Sequence, residues 1–172
     1  MLEIVSSGNL DSDEYAAALK LEKLIKEEIP NVEEEKDLVI YLIPSAYLAR
    51  MKTKDIDLVL IYADFRKKNL LETSNGIIVH SFISTIEVKA NPGGEVIFTG
   101  TDCSVKYKTN PEPHSVTAQS LKQKNKLRDH LGIEFFHRKI RLKVPFVING
   151  IYLVNYSKEN LFSYINYLRE NN

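Results

Sequence analysis

The chain has 172 residues, 44% of them hydrophobic and 27% charged, with a net charge of zero at pH 7. That length fits one domain spanning residues 1–172, and the composition is that of a globular protein able to bury a core, which excludes a disordered chain. The only cysteine, Cys103, cannot form an internal disulfide; a reducing compartment is the simplest inference, and cysteine-rich zinc sites are excluded.

In chain order, Asp11-Ser12-Asp13-Glu14 reads as a helix start, with Asp11 as cap and Glu14 reaching back to complete a capping box. Leu21, Leu24 and Ile25, with Ala17 and Ala18, give the helix an apolar stripe, and Pro30 ends it near Ile29. The run LVIYLI at 38–43 suits a strand covered on both faces and closed by Pro44, and 45–51 reads equally as a turn of helix or a loop. A second strand is expected at 56–62 and a polar loop or hairpin excursion at 64–75. A short strand at 77–79 and a third main strand at 82–90 follow. Asn91-Pro92-Gly93-Gly94 is a turn signal, and 95–99 with 104–107 form a small antiparallel pair.

Residues 110–113 read as a breaker. A second long helix is expected at 115–131, with Ala118, Leu121, Leu127 and Leu131 inward and Gly132 as its C-terminal cap. Strands at 140–148 and 151–155 flank Asn149-Gly150, a hairpin turn signal, and Ser157 opens a last helix with Leu161, Ile165 and Leu168 inward. Helices and strands in this order predict an α/β fold, a mixed central sheet flanked by helices.

No apolar run approaches the roughly 20 residues that span a bilayer, and MLEIVSSGNLDSDEY lacks the basic start and long apolar region of a signal peptide. A cytoplasmic protein without a membrane partner is therefore expected. The zero net charge hides an asymmetry. Acids crowd the first 37 residues, whereas 104–143 is rich in Lys and Arg, which suits either a phosphate backbone or a solvated helix face.

The informative piece is Ile86-Glu87-Val88-Lys89 at the end of a strand. Side chains alternate along a strand, so Phe82, Ser84, Ile86 and Val88 share one face while Ile83, Thr85, Glu87 and Lys89 share the other. Taken alone, Glu87 and Lys89 read as an ordinary ion pair on an exposed strand. Asp57 changes the weighing. It sits in the preceding apolar strand, where an acid is costly unless solvated or bound to a cation; its bland reading is a strand-end acid facing water, and Asp55 nearby shows that acids are tolerated there. If the two strands are neighbours, Asp57 and Glu87 converge on one ion. Two carboxylates, water and substrate phosphate oxygens suit Mg²⁺, with Mn²⁺ able to substitute and the Val88 carbonyl as a further ligand. Such an ion activates water and stabilises charge on a phosphodiester, and Lys89 positions that water, activates it if its pKa is depressed, or stabilises developing charge.

Asp57 followed by Glu87-Val88-Lys89 resembles the PD-(D/E)xK nuclease signature of the restriction-endonuclease-like fold. Glu14 on an Ala- and Leu-rich opening helix, Asp55-Ile56-Asp57-Leu58-Val59, and Asn110-Pro111 followed by Gln119, Leu127 and Leu131 are similar to its nuclease-related domain (NERD) branch. The resemblance runs from about residue 10 to residue 155. It implies a restriction-endonuclease-like core sheet flanked by the Glu14 and Gln119 helices, with a divalent metal at the sheet end and Gln119 supporting the lysine or the metal-bound water. The chain departs from the pattern in three places. No proline precedes Asp57, about thirty residues separate Asp57 from Glu87, and Glu112-Pro113-His114 displaces Gln119; Gln123, one turn later on the same face, could take its role.

The catalytic set expected from residues and resemblance together is Asp57, Glu87, Lys89, Gln119 and Glu14, with Asp57, Glu87 and Val88 as metal ligands. DNA is the expected partner and a two-strand cut needs two sites, which allows a homodimer. The competing readings are an inactive DNA-binding or assembly module on the same fold, and an α/β protein whose trio is coincidence. His80, His114, His130 and His137 lack zinc-hydrolase spacing, Ser115 and Cys103 lack a nucleophile motif, and neither a Walker A sequence nor Gly-x-Gly-x-x-Gly occurs.

Overall fold

Alternation of buried and half-buried residues along three apolar runs builds the centre of the fold in this computed structural model. It describes residues 1–6, 9–48, 56–66, 71–90, 95–107, 110–140 and 145–154. The elements are β1 (Leu2–Ile4), α1 (Asp13–Glu28), β2 (Leu38–Ala46), β3 (Ile56–Asp64), β4 (Ser81–Lys89), β5 (Glu95–Thr99), β6 (Asp102–Tyr107), β7 (Asn110–Ser115), α2 (Val116–His137) and β8 (Val147–Leu153). A mixed five-stranded sheet has the order β1-β2-β3-β4-β8, and a second sheet has the order β5-β6-β7. In the main sheet β2, β3 and β4 form an antiparallel meander, while β1 and β8 run parallel to their neighbours. The mixed sheet flanked by helices is thus present.

The two faces carry different clusters, as period-2 alternation requires. On one, Ala17, Ala18, Leu21 and Ile25 of α1 pack on Leu42, Leu58, Ile86 and Val88. On the other, Leu127 and Leu131 of α2 pack on Ile43, Val59, Ile61 and Ile83. The expected division of β4 holds, since Phe82, Ile86 and Val88 face the α1 side and Ile83 faces α2.

Several expectations are corrected. Ser12, not Asp11, caps α1: its side chain accepts from the Tyr15 N–H at 3.1 Å. Pro44 does not close β2. The strand continues to Ala46 because pairing resumes at Ala46↔Ile56 after Ser45, whose φ of 49° supplies a local irregularity that absorbs the proline. Residues 110–113 are no breaker but the first part of β7, an edge strand, where a proline's missing N–H costs no ladder bond on its open side. Gly132 is not a cap. It sits inside α2, a position that costs only about 1 kcal/mol, and the helix runs on to the Arg138 cap.

The Asn149-Gly150 hairpin is also absent. Both residues lie within β8, paired as Thr85↔Asn149 and Ile86↔Gly150, because β4 takes up their backbone and Ser120 of α2 bonds the Gly150 carbonyl and the Asn149 side chain. β1 had no counterpart in the sequence reading. The strand at 77–79 reduces to a single antiparallel bridge, Glu72↔Ile78. The turn at 91–94 and the helix from Ser157 lie outside the described residues. Among the described residues no helix is long and apolar enough to cross a membrane.

An N-cap hydroxyl is worth about 1 kcal/mol. Ser12→Ala should therefore lower unfolding stability by about 1 kcal/mol in urea titrations, whereas Asp11→Ala should leave it within about 0.5 kcal/mol.

Candidate active site

The register Leu58↔Ile86 places Asp57 and Glu87 one step beyond the last paired residues of β3 and β4. Both therefore stand at the same end of the sheet, and on the same α2-facing side by alternation. The Val88 N–H donates to Asp57 Oδ2 at 2.9 Å, tying the two strands together there. Val88 thus meets Asp57 through its amide, and its side chain turns to the α1 cluster.

Glu87 is only 3% exposed. Its Oε1 lies 2.6 Å from Lys89 Nζ, and its Oε2 accepts from Gln123 Nε2 at 2.5 Å. Gln123 is itself buried, and its Oε1 is a buried acceptor that meets no donor among the described residues. Reversing the amide would set that oxygen against a carboxylate, so the nitrogen faces Glu87.

The supporting glutamine is therefore Gln123. Gln119 is exposed on α2, while the buried residues of the helix are Val116, Ser120, Gln123 and Leu127. That stripe is rotated from the expected one: Ala118 and Leu121 face solvent. The stripe's spacing is regular, but its two middle members are polar and so carried no hydrophobic signal. Ser120, which the sequence reading passed over, clips the helix to β8. Its hydroxyl donates to the Gly150 carbonyl at 2.9 Å and accepts from Asn149 Nδ2 at 3.0 Å. The serine thereby sets Gln123, three residues on, over Glu87.

Glu14 is half-buried near the start of α1, and its charge reaches Asp57. The structure thus gathers Asp57, Glu87, Lys89, Gln123 and, at longer range, Glu14. Burial raises the Asp57 carboxyl; the Val88 N–H and the Lys89 charge oppose this while Glu87 and Glu14 add to it, so its pKa rises from an ordinary 3.8 to about 6. Burial also works to lower Lys89, yet the hydrogen bond to Glu87 and the fields of Glu87, Tyr107 and Asp57 outweigh it and hold the ammonium above its ordinary value. Lys89 is thus a cation at neutral pH. That direction suits a positive charge that positions or stabilises an anion rather than the depressed pKa that a water-activating base would need.

Among the described residues no three His, Cys, Asp or Glu side chains come together as ligands of one ion. The donor set that could receive a cation is smaller: the Asp57 and Glu87 carboxylates, backed by the Glu14 field and the unpartnered Gln123 Oε1. These are acceptors in excess of donors, the chemistry a hard cation with retained waters requires. Ser45, across β2–β3 from Asp57 by register, holds its left-handed φ at this same edge; such strain concentrates at functional sites. Comparison of the chain with protein-family models, with curated proteins and with solved structures finds no match.

The raised Asp57 pKa fixes the sign of a pH effect. Protonated Asp57 is favoured in the folded protein, so its contribution to stability is fully present below about pH 4 and is lost as pH rises through about 6. In EDTA, Asp57→Asn should stabilise the protein at pH 7.5 by about 1–2 kcal/mol after allowance for partial exposure, and the difference should vanish at pH 4. Thermal melts across that range read it out.

Proposed function

We propose that the protein is a metal-dependent nuclease that hydrolyses phosphodiester bonds in DNA. The single observation that carries this reading is the meeting of Asp57, Glu87 and Lys89 at one sheet end, with Gln123 behind Glu87. The resemblance to the PD-(D/E)xK nucleases implies Asp57, Glu87 and Lys89 with Gln119 as the support, the place that Gln123 takes here, and its restriction-endonuclease-like core is in keeping with a mixed sheet between the Glu14 helix and the glutamine-bearing helix.

In this reading Asp57 and Glu87 would hold Mg²⁺ or Mn²⁺, which when bound supplies Lewis acidity and lowers the pKa of water. Lys89 presents a positive charge to the phosphate, and Lys89 and Gln123 together fix the Glu87 carboxylate in one orientation. Of the basic residues at 104–143, Lys106, Lys122, Lys124, Lys126, Arg128, Arg138 and Lys139 fall within the described part of the chain. They would follow the DNA backbone, with salt-sensitive affinity. A homodimer would supply the second site for a two-strand cut, and a cytoplasmic location fits the reading.

One observation favours the second reading, an inactive DNA-binding or assembly module. Both Glu87 oxygens already have donors, so metal binding has to compete with Lys89 or Gln123.

Incubation with plasmid and with single-stranded DNA separates the two. The nuclease reading predicts cleavage with Mg²⁺ or Mn²⁺, none with EDTA, and losses of at least about 100-fold in Asp57→Ala, Glu87→Ala and Lys89→Ala. Gln123→Ala should lose more activity than Gln119→Ala. Tight, salt-sensitive binding without cleavage would favour the module.

A further inference from the structure

The edge of the main sheet at β8 is unlike the other strand edges of the fold. β1 is three residues long with Glu3 at its centre, β5 is five residues long and opens on Glu95, and β7 carries Pro111 and Pro113. Short length, charge and proline are features that keep an edge from pairing with another chain. β8 has none of them: it is seven residues long, without a charge or a proline, and every residue of it is half-buried.

Two ladder bonds fix which backbone groups β8 leaves open. The Ile83 N–H donates to the Phe146 carbonyl at 2.9 Å, and the Val154 N–H donates to the Lys89 carbonyl at 3.1 Å. Along the parallel ladder between them, the even-numbered residues of β8 turn their backbone to β4. Val147, Asn149, Ile151 and Leu153 turn theirs outward, and among the described residues these N–H and C=O groups find no backbone partner. Gly150 stands at the middle of the strand. Its own fold does not require a glycine there, because a Cβ would meet only Ile86 Cγ1 at 3.9 Å and Ser84 Oγ at 4.0 Å, which is ordinary contact, and its φ is not positive. A glycine inside a strand often marks a site where another backbone comes close.

We propose that β8 is a homodimer interface, pairing antiparallel with β8 of a second copy about a two-fold axis at Gly150. A strand that pairs with its own copy in this way keeps each side chain on its own face of the joined sheet, and centring on Gly150 engages all seven residues. Asn149 then exchanges both main-chain bonds with Ile151 of the second copy, and Val147 with Leu153 of the second copy. Four donors from each copy give about eight bonds, within the ~10 ± 5 of a typical interface. With no charge on the strand, the two copies do not repel each other. The register also places the candidate sites. Glu87 is the β4 partner of Ile151, one residue from the axis, so its two copies lie about 15 Å apart on the same face of the joined sheet. For the nuclease reading, on which this use of the dimer rests, that is the pair of sites a two-strand cut needs.

Light scattering of the full chain at micromolar concentration in EDTA should give twice the 19.7 kDa of one chain. Gly150→Cys should cross-link into a disulfide dimer under oxidised glutathione, since residues opposite each other in a non-hydrogen-bonded pair lie about 4.5 Å apart at Cα. Ile148→Cys should not, because its two copies stand about 14 Å apart. Cys103 is buried, so the wild-type chain should stay unlinked. Gly150→Lys sets two ammoniums against each other at the axis and should raise the dimer Kd at least about 100-fold, with the far-UV circular dichroism unchanged. A monomeric wild-type chain, with the edge open or taken by residues 155–172 or by another protein's strand, would overturn the proposal. So would a dimer that Gly150→Cys fails to lock, or one that Ile148→Cys locks equally well. None of these readouts needs cleavage, so a wild-type chain that cuts no DNA removes the nuclease reading and leaves the interface standing.

Discussion

Burying the Glu87 carboxylate is the constraint on which the rest of this end of the molecule depends. An ionised carboxylate withdrawn from water costs several kcal/mol unless donors replace its hydration. Lys89 supplies one donor from two residues along the same strand, a contact the strand's own geometry delivers. The other comes from Gln123, on a helix that must lie at one height above the sheet for the amide to reach. Apolar contacts alone would tolerate a shift of that helix, because they are non-directional. The Ser120 bonds to Asn149 and Gly150 do not, so the buried stripe of α2 is polar in its middle and apolar towards its far end. The register of the helix is therefore written in hydrogen bonds.

Asp57 shows the opposite treatment. It receives one backbone N–H and part of the Lys89 field, against burial and two acidic neighbours. The result is a carboxyl that holds its proton more tightly than an ordinary aspartate, beside one that meets a lysine and an amide. Such unequal treatment of two neighbouring carboxylates is the kind of perturbation that gathers at functional sites. The left-handed Ser45 facing Asp57 across β2 adds local strain at the same edge. Stability alone would favour an Asn in place of Asp57, since an amide keeps an acceptor for the Val88 N–H without the charge.

Much of the main sheet was legible because its strands are apolar runs of strand length, and alternation then fixed which faces of β4 pack and which end in charge. α1 was legible through its small and large apolar residues and through Pro30, though the cap was misplaced by one position because Asp11 and Ser12 are equally good caps by type. What failed has a common cause. Asn149-Gly150, Gly132 and the prolines of 110–113 are local turn or breaker signals, and in each case a long-range partner overrode them: β4 for the first, continued helix for the second, β6 for the third. The choice between Gln119 and Gln123 turned on the helix face. The hydrophobic stripe misassigned that face because Ser120 and Gln123 are buried by hydrogen bonding and Leu121 is left outside.

The place of the second sheet has a topological reason that no local sequence signal carries. β4 ends at Lys89 and β8 runs parallel to it, so the chain must return to the far end of the sheet before β8 begins. α2 makes that return: Val116 lies in the cluster with Ile151 at the site end, and Leu127 and Leu131 lie with Ile83 and Val147 at the other. Any segment inserted between β4 and α2 therefore emerges at the carboxyl end of β4, the end where open sheets containing parallel strands place their ligands. The second sheet is such an insertion. Its own pairing is entirely internal, and Asp102 fastens it to the start of α2 by accepting from Ser115 Oγ at 2.9 Å. The connection fixes the region where the inserted sheet must lie, and the cluster of Cys103, Val105 and Val116 with Ile151 of β8 holds it there, so its place follows from chain order rather than from any one residue of it.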